Sequence, residues 1–253
     1  MRSRKNSLIL SRLWRELVNP EKRMELEGPF LSRHLPSPEG SLILDSCLGS
    51  GATSVYLLQN GYRVLSNEID EGMLKEACKY AVERGVSLDT SSLDWRNLSG
   101  KFPHPFAEAV LCMGNSLTYL FEKEEQVAAL KNFHAILKDR GALIADMRNY
   151  PRMLRERERI LNNPEAFREF NRHVYCGTDA VPITPLVLEE KEVVLAYSNL
   201  QRQESGLLRL YPFGVGEFAG LLLQAGFSKI SVFSDYRQGI EENACFFQFV
   251  CEK

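Results

Sequence analysis

The sequence predicts an α/β fold, a mainly parallel, doubly wound sheet with helices on both faces and a small antiparallel insertion. Between residues 41 and about 147, short apolar, β-branched runs alternate with stretches of helical periodicity, as in βαβ units. Two further β-like runs, at 188–197 and 207–211, follow each other without a helix and predict the antiparallel insertion. A chain of 253 residues is long enough for one such domain with an insertion.

The elements of the main sheet follow in order along the chain. Seven strands are expected, at 41–45, 62–68, 87–91, 107–113, 142–146, 229–234 and 244–251, of which the third is the weakest. Helical periodicity between them predicts helices over 73–81, 127–137 and 215–225.

The chain is predicted to consist of three parts. Residues 1–40 are expected to form an N-terminal helical cap, residues 41–150 and 212–253 the main domain, and residues 151–211 an insertion that covers the substrate site. The insertion begins with an Arg/Glu-rich stretch at 151–159, whose alternating charge sign is typical of a solvated helix face rather than a phosphate site.

Composition favours a small-molecule partner. The net charge of −2 lacks the basic excess of proteins that bind nucleic acid or anionic lipid. Six cysteines without a CxxC pair predict reduced core residues of a cytoplasmic protein. No apolar run approaches the roughly 18 residues of a membrane helix, and the N-terminus lacks the features of a secretion signal.

A glycine loop followed by an acidic residue carries the strongest functional signal. In LILDSCLGSGATS, a strand ends at Asp45 and a helix begins near Ala52, with Gly49 and Gly51 in the turn. Glu68 ends the next strand, where a carboxylate could accept ribose hydroxyls. Ser54 stands where a dinucleotide site would have its third glycine, so a cofactor without phosphates is favoured. A ligand-free turn and a capping carboxylate are the alternatives.

Several motifs resemble one enzyme family. DSCLGSG is similar to motif I of class I S-adenosylmethionine-dependent methyltransferases, and VLCMGNSLTYL at 110–120, ADMRNY at 145–150 and LRLYPF at 208–213 resemble the glycine/sarcosine N-methyltransferases. The resemblance covers most of the chain except about 151–206. It implies a Rossmann-like sheet, S-adenosylmethionine as cofactor, S-adenosylhomocysteine as product and a small-molecule acceptor.

The resemblance assigns cofactor contacts to the N-terminal segment, the glycine loop and the strand ends. The expected residues are Trp14, Arg23, Asp45, Cys47, Gly49, Gly51, Glu68, Ile69, Asp94, Trp95 and Met113. Arg23 would bind the methionine carboxylate, and Asp94 and Trp95 would hold the adenine. As plain sequence, Trp14 belongs to an amphipathic stripe that packs, and Asp94 is equally well a surface acid beside a core tryptophan.

The acceptor side is predicted at the ends of the fourth and fifth strands. Arg148 offers a planar fork that matches a carboxylate, and Asn115, Tyr119 and Tyr211 offer polar contacts, with Tyr150 as a weaker candidate. An Asp146–Arg148 salt bridge and a turn asparagine are the competing interpretations. The sequence identifies neither a dedicated base nor a metal site.

The sequence does not identify the methyl acceptor. Met147 and Tyr119 stand where the family has histidines, and Leu210 replaces an aromatic residue. Glycine, sarcosine or a related amino acid is expected; another small carboxylate, an oxygen or sulfur acceptor, or a non-catalytic S-adenosylmethionine-binding protein are the alternatives. Nucleic acid is disfavoured because Gly114-Asn115-Ser116 replaces the Asn/Asp-Pro-Pro-aromatic motif. Homo-oligomerisation is also left open.

Overall fold

The main sheet has eight strands in a computed structural model that describes residues 4–102, 105–168, 170 and 181–253. The strands are β1 (Leu42–Asp45), β2 (Arg63–Asn67), β3 (Asp89–Ser91), β4 (Ala107–Cys112), β5 (Leu137–Arg148), β9 (Ser228–Ser234), β10 (Arg237–Gln238) and β11 (Phe246–Glu252). Their order is β10-β9-β11-β5-β4-β1-β2-β3. Strands β1 to β5 form the parallel part of the sheet, whereas β11 is antiparallel to both β5 and β9.

The predicted fold class is confirmed, and the differences are local. The two-residue strand β10 adds an eighth strand at the sheet edge. Strand β5 begins five residues earlier than predicted, and the added stretch is irregular: Arg140 has a left-handed φ of +64°, and the pairing with β4 shifts register between Ala107 and Ala109. The strand order reverses between β1 and β4, and their carboxyl ends border the crevice where such sheets bind ligands.

Helices cover both faces of this sheet. The α-helices in the described part of the chain are α1 (Arg4–Leu17), α2 (Pro20–His34), α3 (Ala52–Gln59), α4 (Glu71–Glu83), α5 (Lys123–Ile136), α6 (Tyr150–Arg155), α7 (Arg157–Asn162) and α8 (Val215–Ala225). Of these, α2 and α3 cover one face of the main sheet, and α5 and α8 cover the other. One apolar core joins α5 and α8 to the sheet through residues such as Phe133, Leu222 and Phe249. A second joins α2 and α3 to the opposite face through residues such as Leu31 and Leu57.

A separate antiparallel sheet follows α7. It contains β6 (Ile183–Glu189), β7 (Glu192–Asn199) and β8 (Glu204–Leu210). The single run predicted at 188–197 is wrong, because a two-residue turn at Glu190 and Lys191 divides it into a hairpin. Apolar residues continue on both sides of this turn, and it lacks the glycine or asparagine that usually marks a hairpin.

Helix α1 packs against this small sheet rather than standing apart from it. Leu10, Leu13 and Leu17 share an apolar core with Tyr197 and Leu208. On its other side, α1 reaches α4 through an ion pair between Arg15 and Glu76 at 2.6 Å. The N-terminal helix therefore bridges the insertion and the main domain, and the exact division into three segments stays a prediction.

The prediction of six core cysteines is only partly right. Cys112, Cys245 and Cys251 are buried free thiols, whereas Cys78 is exposed and Cys47 is half-buried. Cys176 lies outside the described residues. Cys78 falls on the outer face of α4, which explains its exposure.

Candidate active site

The turn between β1 and α3 is built around two glycines with left-handed backbone. Gly49 has φ +55°, and Gly51, the N-cap of α3, has φ +87°. A Cβ at Gly51 would lie 3.3 Å from the Ala77 Cα of α4, whereas one at Gly49 would come within 4 Å only of the Cys47 carbonyl oxygen, at 3.8 Å. Gly51 is therefore required for packing, and Gly49 leaves the loop open to a ligand.

Glu68 follows β2 and fastens the glycine loop. Its Oε2 accepts a hydrogen bond from the Gly49 amide at 2.9 Å, and its Oε1 accepts one from the Asp70 amide, also at 2.9 Å. Burial raises the pKa of Glu68 in spite of these two bonds. Because each carboxylate oxygen has a further lone pair, Glu68 can hold the loop and still accept ligand hydroxyls.

Asp45 has a buried carboxylate that organises the start of α3. Its Oδ2 accepts from the Ser54 hydroxyl at 2.7 Å, and its Oδ1 accepts from the Cys47 amide at 3.3 Å. The Ser54 hydroxyl lies 2.8 Å from that of Ser66 on β2. Burial raises the pKa of Asp45 to about 6. These contacts shape the loop, and direct cofactor binding by Asp45 stays a prediction.

Cys47 joins the glycine loop to the end of β4. Its Sγ lies 3.1 Å from both the amide nitrogen and the carbonyl oxygen of Met113. Met113 is buried, and its carbonyl also accepts from the Ser116 hydroxyl at 2.8 Å. The loops that follow β1 and β4 are therefore held side by side where the strand order reverses.

The predicted adenine residues lie beside this loop, but both already have partners. The Trp95 indole Nε1 donates to the Ser46 carbonyl at 2.7 Å, so Trp95 would offer a ligand only its ring. Asp94 accepts from the amide of Arg96 and from its Nε, each at 2.9 Å. The Arg96 side chain lowers the pKa of Asp94. An adenine amine would compete with Arg96, a residue that the sequence interpretation missed although it lies two positions further on.

Two predicted residues occupy the margins of the site. Ile69 is 62% exposed immediately after Glu68. Trp14 is half-buried, and its ring centroid lies 6.0 Å from that of Tyr197 on β7. Trp14 therefore packs against the insertion, as the amphipathic stripe of α1 suggests, and its cofactor contact stays a prediction.

Arg23 is buried on α2 beside a carboxylate that the sequence interpretation missed. Its Nε donates to Glu27 Oε2 at 2.8 Å, one turn along the helix. Burial alone would lower the pKa of Arg23, but the neighbouring Glu27 carboxylate outweighs it and the pKa is raised. Arg23 also acts electrostatically on Asp45 and Asp146, so it lies close to the strand ends. The i, i+4 spacing of Arg23 and Glu27 is the signal that could have identified the pair.

These groups fit a nucleoside that carries an amino acid. Glu68 offers acceptors for hydroxyl donors, and Arg23 offers the cation that a carboxylate requires. Asp45 and Asp146 add buried carboxylates that suit a positively charged ligand. The loop from Asp45 to Ala52 contains no lysine or arginine, so it is poorly suited to phosphates.

Asn115 connects the ends of β4 and β5. It has a left-handed backbone, φ +64°, and its amide donates to Asp146 Oδ1 at 2.5 Å. Its side-chain Oδ1 accepts from the Arg148 amide at 2.9 Å, while its Nδ2 donates to the hydroxyls of Tyr150 at 2.7 Å and Thr118 at 3.2 Å. Three protein groups thus engage this side chain, and its contact with an acceptor amine stays a prediction.

Arg148 ends β5 and is 1% exposed. Its guanidinium carbon lies 5.1 Å from the ring centroid of Phe246 and 5.8 Å from that of Phe167, and its Nη1 lies 3.5 Å from the Phe170 carbonyl oxygen. Asp146 Oδ1 accepts from the Asn115 amide, Oδ2 has no hydrogen-bond partner within the described part of the chain, and Arg148 is not among the main charges that act on this carboxyl, so the competing Asp146–Arg148 salt bridge is wrong. Burial raises the pKa of Asp146 to about 6.

The two predicted acceptor tyrosines differ in their surroundings. The Tyr211 hydroxyl donates to Glu217 at 2.7 Å, and burial together with Glu217 raises the pKa of Tyr211 to about 12. The Tyr211 amide donates to the Thr118 carbonyl at 2.7 Å, which ties the end of the insertion to the loop after β4. Tyr119, on the short 3₁₀ helix Ser116–Tyr119, is partly exposed. No three histidine, cysteine or acidic side chains converge as a metal site among the residues that are described.

The chain matches known proteins over most of its length. A family model described as a methyltransferase domain matches residues 43–141. The glycine/sarcosine N-methyltransferase of Parasynechococcus marenigrum is 35% identical over 242 residues, covering 95% of this chain and 81% of the relative. That of Aphanothece halophytica is 30% identical over 225 residues, covering 89% and 80%.

Solved structures share the fold of this chain. An S-adenosylmethionine-dependent methyltransferase from Clostridium acetobutylicum has a TM-score of 0.69 at 13% identity, covering 93% of this chain and 92% of that one. At this identity the likeness concerns the fold alone. No helix in the described ranges has the length and hydropathy to cross a membrane. From its sequence relatives, the chain belongs to the glycine/sarcosine N-methyltransferase family and is an S-adenosylmethionine-dependent methyltransferase acting on a small molecule.

Proposed function

We propose that this enzyme N-methylates glycine, sarcosine or a closely related amino acid. The observation that carries the proposal is Arg148, a buried guanidinium at the carboxyl end of β5, two strands from the glycine loop. A cation in such surroundings binds a carboxylate more strongly than one in water. The names of the relatives, glycine/sarcosine N-methyltransferases, support the same substrate class.

The proposed cofactor contacts follow from the donors and acceptors in the crevice. S-adenosylmethionine supplies the methyl group as the electrophilic carbon of a sulfonium. Glu68 would accept the ribose hydroxyls, and the Trp95 ring would face the adenine. Arg23 would bind the methionine carboxylate through the groups that Glu27 leaves available. Gly49 would let the ligand approach the loop backbone.

The chain contributes to the reaction mainly by positioning. Arg148 would hold the acceptor carboxylate, while Asn115 fixes the Arg148 backbone through its amide. Well-oriented approach of two reacting groups is worth roughly 7 to 11 kcal/mol. The acceptor must be a neutral amine to attack, and a positive charge nearby lowers the pKa of its ammonium form. The proton can then pass to solvent, and no residue of the chain is assigned as a dedicated base.

The finer details of partners and location belong to the same proposal. The near-neutral net charge of −2 supports a small acceptor rather than nucleic acid. The free thiols Cys47, Cys78, Cys112, Cys245 and Cys251 support a reducing, cytoplasmic location. Light scattering after size-exclusion chromatography would decide whether the chain forms homo-oligomers.

An acceptor screen tests the proposal. The enzyme is incubated with methyl-labelled S-adenosylmethionine and glycine, sarcosine or dimethylglycine, alongside methylamine and ethanolamine, which lack the carboxylate. We expect turnover with at least one amino acid and none with the carboxylate-free amines. Glycolate and thioglycolate test oxygen and sulfur acceptors. Tight cofactor binding with no turnover on any acceptor would instead indicate a non-catalytic binding protein.

A further inference from the structure

Glu27 is a fully buried carboxylate for which none of the assignments above accounts. It lies in the middle of α2 with 0% exposure. Its Oε2 accepts from Arg23 Nε at 2.8 Å and lies 3.4 Å from the Tyr236 hydroxyl, while its Oε1 accepts from the Thr53 hydroxyl at 3.0 Å. Burying a charged pair costs several kcal/mol per ion before attraction is counted, so packing alone does not explain a glutamate here.

The contacts of Glu27 join three segments around the glycine loop. Thr53 lies in the first turn of α3, two residues after Gly51. Tyr236 lies in the turn between β9 and β10, and its ring packs 5.4 Å from that of Phe30 on α2. The Glu27 carboxylate therefore has a fixed position relative to the loop that borders the crevice.

Arg23 has other carboxylates within its electrostatic reach. Asp45 and Asp146 both lie close enough for the Arg23 charge to lower their pKa values against the effect of burial. A flexible arginine side chain could turn toward either. Glu27 engages the Nε edge, whereas neither Nη1 nor Nη2 meets an acceptor among the described residues. The terminal groups of the fork are thus left for another partner.

We propose that Glu27 is a positioning residue that holds the Arg23 guanidinium with its terminal amino groups directed at the carboxylate of the cofactor. The inference rests on the proposed role of Arg23. It assigns Glu27 an effect on affinity for the amino-acid part of the cofactor and none on affinity for its nucleoside part. A glutamate needed only for folding would affect both parts alike.

Two ligands separate these effects. S-adenosylmethionine carries the carboxylate, and 5′-methylthioadenosine keeps the nucleoside and sulfur but lacks the amino-acid chain. Calorimetry on the full chain gives the ratio of the two dissociation constants. We expect Glu27→Met, which lacks the charge and the strong acceptor oxygens of glutamate, to reduce the preference for S-adenosylmethionine at least tenfold and to leave 5′-methylthioadenosine binding within twofold. Glu27→Gln, whose amide oxygen still accepts from Arg23, should retain most of the preference.

Control variants separate the proposed effect of Glu27 from a loss of charge or of folding. Glu25→Gln removes the same charge from the exposed face of α2 and should change nothing. If Glu27→Met does not fold, Thr53→Val tests the inference instead. This variant removes the hydroxyl that donates to Glu27 and should lower the preference for S-adenosylmethionine over 5′-methylthioadenosine several-fold. A folded Glu27→Met or a Thr53→Val with the parental preference would overturn the inference. Arg23→Met/Glu27→Met removes the pair together; an unchanged preference there would refute the role of Arg23 itself, independently of Glu27.

Discussion

The Gly49 amide donates to the Glu68 carboxylate at 2.9 Å, so the residue expected to bind ribose also fixes the loop that receives the ligand. Glu68 closes the turn between β1 and α3 from the side of β2, and its second oxygen holds the Asp70 amide at the start of α4. The proposed ribose contact would therefore couple loop order to cofactor affinity through one side chain.

Replacing Glu68 should weaken cofactor binding, and alanine should weaken it more than glutamine. A hydrogen bond to a charged acceptor is worth about 1.5 to 3 kcal/mol and a neutral one about 1 kcal/mol. We therefore expect Glu68→Gln to raise the S-adenosylmethionine dissociation constant several-fold and Glu68→Ala, which also frees the Gly49 amide, at least tenfold. Calorimetry measures both. An unchanged affinity in Glu68→Ala would sink the ribose assignment.

Replacing Arg148 should affect the acceptor and spare the cofactor. Lysine keeps the charge but loses the bidentate fork, a loss of about 1.5 to 3 kcal/mol that corresponds to a rise in acceptor KM of about 13- to 160-fold. We expect Arg148→Lys to show this rise with cofactor affinity within twofold. Arg209→Lys, on the exposed side of β8, serves as the control. Parental acceptor kinetics in Arg148→Lys would argue against the carboxylate clamp.

The sheet and the loop were predictable because their signals are local. Apolar runs, Gly49, Gly51 and the acid at Glu68 fix strand ends and a turn through nearby residues. The hairpin at Glu190 and Lys191 could not be predicted, because two charged residues without glycine give no turn signal within an apolar run.

The sequence indicated individual candidate site residues, which remain predictions, but not the contacts that these residues make. Arg23 was named from the sequence, and its i, i+4 spacing could have indicated Glu27, whereas the Tyr236 hydroxyl, 209 positions from Glu27, comes close only in the folded chain. Similarly, a salt bridge between Asp146 and Arg148 was a competing interpretation only because two residues that are two positions apart lie on the same face of a strand. The competing bond from the Asn115 amide to Asp146 depends on how the loop after β4 turns.

The Asp146 carboxyl should make stability depend on pH. Burial raises its pKa from 3.8 to about 6, so the folded protein holds this proton more tightly than the unfolded chain. The protonated Asp146 carboxyl stabilises the fold fully below about pH 4, and this stabilisation is lost as the pH rises to about 6. The loss amounts to about 3 kcal/mol, because each unit of pKa shift corresponds to about 1.4 kcal/mol. We expect Asp146→Asn to lack this loss and to gain stability over the parent between pH 4 and pH 8.

Urea unfolding at several pH values measures this difference. Asp89→Asn, at an exposed position of β3, removes the same charge and should follow the parent curve. If Asp146→Asn also follows the parent at every pH, the carboxyl does not titrate as its burial requires.

Asn115 and Tyr150 should be energetically coupled. Asn115→Ala leaves the buried Arg148 amide and Tyr150 hydroxyl without this partner and places alanine at φ +64°, so a loss of about 2 to 4 kcal/mol is expected. Tyr150→Phe removes one hydrogen bond and should cost about 1 kcal/mol. The double variant should lose less than the sum of the two. Strict additivity in denaturant unfolding would contradict direct coupling.

Helix α1 should be held by its apolar stripe and not by its ion pairs. Leu13 is completely buried in the core shared with the small sheet, and truncating such a leucine costs about 2 to 5 kcal/mol. Arg15 pairs with Glu76 and Glu83 on α4, but its side chain is 39% exposed, and exposed pairs are worth about 0 to 1 kcal/mol. We expect Leu13→Ala to destabilise the protein strongly and Arg15→Ala only slightly. Since α1 bridges both parts of the chain, proteolysis of α1 should accelerate in Leu13→Ala alone; faster cleavage in Arg15→Ala would show that the ion pairs anchor the helix.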